Sequence, residues 1–366
     1  MLRRAFLKGA GAAALGLLTG CRAAEVPAEE TLADAARPRG LHYGASVAYE
    51  VYDDPAYAEL YRRQVGILTT DWALKFDAIR PDRATWWFDG GDDMLAFARG
   101  IGAPLRGHAL VWNENAPGWL WALVEAGELA EVRRVFDEHV ERVVDRYRGR
   151  LHSWDVVNEP FWPGHGLPGG WRDGPWYRAY GEGYVRRAFE LARRHDPEVR
   201  LVLNEAHTER MDDVGEAVRR GLVGLVRELL DAGVDLYAVG LQGHLYAYFE
   251  ETTAYDYPRF AAFVHELGEL GVRVFITELD VSDEWLIRQG KGAAERDAWV
   301  AEQYRSFLGE VLQVPAVEVV ITWQLADKYS WLRAWAPVRP LPFDDALRPK
   351  PAFHALREAL ATAPAR

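Results

Sequence analysis

The stretch His152–Ser153–Trp154–Asp155–Val156–Val157–Asn158–Glu159–Pro160 carries the reading of the fold. Its body is a short β-type run, and its C-terminal end turns polar, with Asn158 and Glu159 ahead of a proline. Strands covered by helices on both faces are apolar along their length. Polar residues confined to the C-terminal end are what a parallel barrel needs, because those ends form the mouth of its site. Working outward, the same alternation of a short β-run and a longer helical run recurs. The predicted strands are Leu41–Val47, Gly66–Thr70, Pro104–Trp112, His152–Asn158, Val199–Asn204, Leu236–Gln242, Val272–Glu278 and Val317–Trp323. Between them, Val132, Val135, Phe136, Val143, Val144 and Tyr147 share one helical face, as do Phe260, Phe263, Val264, Leu267 and Leu270. Eight such units predict one α/β domain over 41–366, a closed (β/α)8 barrel. A doubly wound open sheet is the alternative, but Gly44–Ala45–Ser46 does not supply its Gly-rich phosphate turn.

The 366 residues are 49% hydrophobic, enough for a large core without staples. A net charge of −12 argues against sequence-independent nucleic-acid binding, which needs a basic surface. The single cysteine excludes an internal disulfide framework and a Cys-based zinc cluster. Fifteen tryptophans are many; core packing covers most of them, but their bunching next to polar motifs argues that some line a cleft, where Trp is a flat platform for sugars.

The N-terminus reads as an address. Residues 1–20 hold Arg3, Arg4 and Lys8, no acid, and an apolar run too short to span a membrane. Arg3–Arg4–Ala5–Phe6–Leu7–Lys8 resembles a twin-arginine export signal, and Leu18–Thr19–Gly20–Cys21 resembles a bacterial lipobox. The expectation is export, lipidation at Cys21, and anchoring in the bacterial cell envelope. Removing residues 1–20 takes three basic residues, leaving 40 against 55 acidic and a charge near −15. Residues 21–40, rich in Ala, Glu, Pro and Arg, read as a flexible tether.

Polar residues gather at the other strand ends too. Arg106–Gly107–His108 and Trp112 close the third strand, and Asn204–Glu205 the fifth. Gln242–Gly243–His244 closes the sixth, Thr277–Glu278–Leu279–Asp280 the seventh, and Trp323–Gln324 the eighth. Phe161 to Tyr177 is a Gly/Pro/Trp-rich loop on the same face. Glu159 and Glu278, on opposite sides of one mouth, are the pair that glycoside cleavage requires: one protonated donor and one ionised carboxylate. Taken singly, each could instead be half of a structural ion pair.

The ordered motifs resemble glycoside hydrolase family 10, the β-1,4-xylanases, over nearly all of 41–360. The resemblance rests on Arg106–Trp112 (RGHALVW), Trp154–Glu159 (WDVVNE), Gly240–Leu245 (GLQGHL), Ile276–Asp280 (ITELD), Asp327–Trp331 (DKYSW) and Lys350–Phe353 (KPAF). It implies that Glu159 is the acid/base, Glu278 the nucleophile, and His244 with Asp280 its orienting partners. It further implies that Lys75, His108, Trp112, Asn158, Gln242, Trp323 and Trp331 bind substrate. The implied reaction is retaining cleavage of internal β-1,4-xylosidic bonds of xylan, with no metal or other cofactor. A related retaining β-glycosidase for another β-linked glycan, or a non-hydrolytic carbohydrate-binding lipoprotein, are the competing readings. A metal- or Schiff-base-dependent barrel enzyme is argued against by the scattered histidines and by the lack of a lysine at any strand end. The chain departs from the family pattern at Asp71, Trp72, Asn113, Asn115, Ala206 and Gln324. The cleavage pair is intact while the sugar-reading shell is altered, which separates the chemistry from the choice of polymer.

Overall fold

The computed structural model describes residues 30–247 and 255–366. Cys21 and the export segment lie outside the described residues. The strands are β1 His42–Val47, β2 Ile67–Thr70, β3 Leu105–Gly107, β4 Val111–Trp112 and β5 Ser153–Asn158. They continue as β6 Arg200–Glu205, β7 Ala238–Leu241, β8 His244–Leu245, β9 Arg273–Val281 and β10 Val317–Thr322. All pairings are parallel, and β10 pairs with both β1 and β9, so eight strands close a ring as the sequence pattern predicts. Helices cover the outside. On Leu129–Tyr147 every residue of the predicted apolar face is buried.

Two predicted strands are broken, and both breaks shape the mouth. The third splits into β3 and β4 because the Thr70 hydroxyl accepts from the His108 N–H and donates to the His108 carbonyl, at 3.0 and 3.1 Å, replacing the ladder there. The sixth splits at Gln242–Gly243, and β8 then pairs with an extension of β9, setting His244 opposite Asp280. A register shift between Asp155 and Val157 has a similar effect in β5. A regular strand would send residues three apart to opposite faces. With the shift, Asp155 bonds His108 and Asn158 bonds Asn204, both on the barrel side.

Of the tether expected over 21–40, residues 21–29 lie outside the described residues, and the rest needs correction. Thr31 caps a helix over Leu32–Ala36, whose Leu32, Ala35 and Ala36 are buried, and the Leu32 N–H donates to the buried Gln64 amide oxygen at 3.1 Å. Small alanines let this helix sit flat against the barrel, so composition alone mistook a packed segment for a linker.

Inside the ring, Ile67, Val202, Ala238, Phe275, Val319 and Ile321 form their own apolar cluster. Arg106 lies above it, 5.3 Å from the Phe275 ring, and pairs with Asp155, which also accepts from His108. This charged layer separates the apolar floor from the mouth. Two motif glycines are dictated by contact. A Cβ on Gly240 would lie 2.2 Å from the Asn204 amide oxygen, and one on Gly107 would lie 2.2 Å from the Trp154 ring.

Candidate active site

The strand ends open into a cleft of about 620 Å³. Lys75, His108, Trp112, Asn158, Glu159, Gln242, His244, Glu278, Trp323 and Trp331 all line it. Asp280 lies just beneath, fully buried, bonded to His244 Nδ1 at 3.0 Å and to Trp331 Nε1 at 2.7 Å. Every predicted site residue within the described chain is therefore gathered at one mouth.

Three amides connect the two glutamates. Gln242 Nε2 donates to Glu159 Oε1 at 2.8 Å and to Asn158 Oδ1 at 3.3 Å. Asn204 Nδ2 donates to the same Asn158 oxygen at 2.9 Å and to Glu278 Oε1 at 2.8 Å. Thr277 Oγ1 donates to Asn204 Oδ1 at 2.7 Å, which fixes that amide's orientation. The network is satisfied at each member, and such networks hold a single geometry.

The surroundings of Glu278 favour its charge. Burial pushes its carboxyl up, but His108, the hydrogen bond and charge of His244, and Lys75 outweigh this and hold it at about 2. His244 places Nε2 3.3 Å from Glu278 and Nδ1 3.0 Å from Asp280. Two carboxylate acceptors require two N–H donors, which only the imidazolium has. Burial opposes that charge, yet Asp280 and Glu278 raise the His244 titration well above its usual range.

Glu159 has a different shell. It accepts from Gln242, from Asn158 at 3.3 Å and from Trp112 Nε1 at 3.3 Å. Arg172 lies 2.9 Å from its Oε2 and donates through Nε to its backbone carbonyl at 2.9 Å. The same guanidinium also pairs with Glu114. Nearby Glu205 is pushed well above the carboxylate range by burial, against the pull of Arg172 and with the help of Glu159. Arg172 and Asn204 are functional residues that the sequence reading leaves out of the site. Arg172 sits within the Gly/Pro/Trp-rich loop, and Asn204 ends a strand, so both had a local signal but no indication of partner.

Five non-glycine residues among those described have left-handed backbone, and four stand at strand ends: Glu159, His207, Tyr246 and Gln324, with φ of 51°, 60°, 59° and 75°. Such conformations cost on the order of 1–3 kcal/mol each and concentrate where side chains must be aimed.

The positions that depart from the family pattern divide. Asn113 and Asn115 turn away from the cleft: both are buried, accepting from the Trp176 N–H at 3.1 Å and the Asp77 N–H at 3.0 Å. Their role is packing, not sugar reading. Gln324 is also buried; it accepts from Tyr57 and Tyr61 at 2.9 and 3.0 Å and donates to Asp71 at 2.8 Å. Ala206 lines the cleft, and Trp72 is half exposed beside Lys75.

The sequence profile of Glycosyl hydrolase family 10 matches residues 31–359. The chain belongs to glycosyl hydrolase family 10. This family 10 hydrolase is 29% identical over 353 residues to endo-1,4-beta-xylanase B of Thermotoga neapolitana, covering 95% of this chain and 96% of that protein. It is 32% identical over 324 residues to the beta-1,4-xylanase of Dictyoglomus thermophilum, covering 85% and 86%. The crystal structure of xylanase 10B from Thermotoga petrophila RKU-1 in complex with xylobiose superimposes with a TM-score of 0.76 at 26% identity, over 90% of this chain and 97% of that one. The protein is a hydrolase of O-glycosyl bonds, and the profile's start at residue 31 agrees with the packed helix found there.

Proposed function

We propose that this family 10 hydrolase is a retaining endo-β-1,4-xylanase, with Glu278 as nucleophile and Glu159 as acid/base. The observation that carries the proposal is a pair of carboxylates facing one cleft and joined by one amide network, one of which has a buried histidine as its partner. Glu278 is held ionised by His244 and is ready to attack an anomeric carbon. Glu159 delivers a proton to the leaving oxygen. The carboxylate this creates is received by N–H groups already aimed at it from Gln242, Asn158, Trp112 and Arg172. In the second step Glu159 takes a proton from water, and that water opens the glycosyl-enzyme. In this reading Asn158, which lines the cleft beside Glu159, binds the hydroxyl next to the anomeric carbon. Xylan as the polymer is supported by the xylanases among the relatives and by the xylobiose held in the similar crystal structure.

The test is product analysis on xylan, mixed-linkage glucan and short xylo-oligosaccharides, paired with two variants. Glu278→Ala should abolish turnover on every substrate. Glu159→Ala should retain the first step on activated aryl glycosides, since a good leaving group needs no proton, and azide should restore the second. Equal loss on aryl and natural substrates, without azide rescue, refutes the assignment.

We further propose that the chain is exported by the twin-arginine route and lipidated at Cys21, on the strength of the Arg3–Arg4 and Leu18–Cys21 motifs. Cys21→Ala should move an active enzyme out of the membrane fraction. A wild-type protein found soluble in the periplasm overturns the lipid anchor.

A further inference from the structure

The large apolar side chains left exposed are not scattered. Among the described residues they are Tyr49, Tyr52, Trp72, Trp87 and Trp335, between 42% and 65% exposed. All five lie in the segments that follow β1, β2 and β10, three adjacent strands of the ring. Monomers rarely gather exposed apolar groups on one edge without a use for them. Tyr49 and Tyr52 sit against the first turn of the helix Asp89–Ile101, and Trp72 and Trp87 belong to the segments that flank it. Tyr49 and Ala73, next to Trp72, both lie against Gly90, Tyr52 donates to the Asp93 carbonyl at 2.6 Å, and Trp87 precedes Phe88, the N-cap of the helix. Tyr49 and Tyr52 have ring centroids 6.5 Å apart.

We propose that these aromatics form an outer sugar-stacking platform, which holds further residues of the same neutral glycan chain beyond the cleft. The inference rests on the glycosidase reading above and adds the length of chain the protein grips. Continuity with the cleft is its main support. Lys75 and Trp331 line the cleft, and each touches the platform: Lys75 Nζ lies 5.3 Å from the Trp72 ring, and Trp331 meets Trp335 edge-on at 5.0 Å. Asp54 ties the segments after β1 and β10 together through Lys328 and Tyr329, both at 2.9 Å. Charge selects the occupant. Asp89 and Asp93 are close enough to act electrostatically on the Tyr49 hydroxyl, so this edge repels an anionic lipid surface or nucleic acid. A chain of uncharged sugar rings, with apolar faces for stacking and hydroxyls for water, fits an aromatic edge set among carboxylates.

The test compares kcat/KM on xylohexaose and xylotriose for wild type, Trp335→Ala, Trp87→Ala and Trp335→Tyr. Each alanine variant should lower the hexasaccharide-to-trisaccharide ratio roughly threefold to tenfold, the loss of one stacking contact. Trp335→Tyr keeps a ring and should restore most of it. Calorimetric titration of xylohexaose into Glu278→Ala, with and without the same changes, should show the matching loss of affinity. A ratio unchanged in every variant overturns the platform and leaves the glycosidase reading standing. A wild-type protein that neither binds nor cleaves xylo-oligosaccharides overturns both.

Discussion

Replacing His244 with glutamine removes a buried cation from between two carboxylates while keeping an amide donor. Glu278 sits at about 2 instead of its ordinary 4.5. That gap corresponds to about 3 kcal/mol of preference for the ionised form, at about 1.36 kcal/mol per pH unit. His108, His244 and Lys75 share the work, and His244 is the one in contact, at 3.3 Å. Its loss leaves burial less opposed, so the carboxyl should rise by at least about one pH unit. Because the nucleophile must be ionised in the free enzyme, the acidic limb of kcat/KM on an activated aryl glycoside should move to higher pH by the same amount. Stability carries a second signature. His244, raised above its unfolded value, stabilises fully below about 6.5 and loses that contribution as pH rises through its folded pKa. Glu278, lowered, stabilises fully above 4.5 and loses it as pH falls through about 2. Both are fully present between the two unfolded values, and there the variant should lose most. Breaking a buried pair costs about 3–5 kcal/mol. For a domain of this size, that is a fall in Tm of about 4–7 °C. A fall in Tm with an unmoved acidic limb would show that His244 packs but does not hold the charge on Glu278, refuting the argument.

Arg172→Met should lower kcat on natural glycans about tenfold to a hundredfold by releasing Glu159 from its aim; the loss should be smaller on aryl glycosides with good leaving groups, which initial rates on both substrates will show. Gln324→Gly relieves a left-handed residue at φ 75° but opens a cavity, removes the acceptor shared by the Tyr57 and Tyr61 hydroxyls and takes a donor from Asp71. The net change should be a loss of about 1–3 kcal/mol, read by denaturant titration. Lys350→Met leaves Asp327 and Asp297, now 2.9 and 3.2 Å from the ammonium, without their shared cation. The expected destabilisation is about 3–5 kcal/mol, and a thermal melt showing less than 1 kcal/mol would contradict the pairing's importance.

Strand number, closure and the gathering of Glu159 and Glu278 at one mouth were legible in the sequence, because each follows from local pattern. A strand buried on both faces is written as an apolar run, and a residue that must reach the mouth is written as a polar one at its end, as in Val156–Val157–Asn158–Glu159. Motif order then identified the family. Relations between strands were not legible. Nothing local to Gln242 or Asn204 says that their amides join Glu159 to Glu278 through Asn158, since those bonds span 46 to 84 residues. The arginine that grips Glu159 comes from a loop whose path only packing fixes. Asn113 and Asn115 look like altered sugar contacts in the sequence and prove to be buried acceptors for backbone N–H groups. Residues 31–40 look like a linker by composition, yet Leu32–Ala36 fold as a packed helix followed by a 3-10 turn, because burial depends on the surface a segment meets and not on its own residues alone. Sequence thus set which groups reach the mouth. The register shifts in β5 and between β3 and β4, and the left-handed residues at the strand ends, set where each one points, since those depend on hydrogen bonds to neighbouring strands that no single segment encodes.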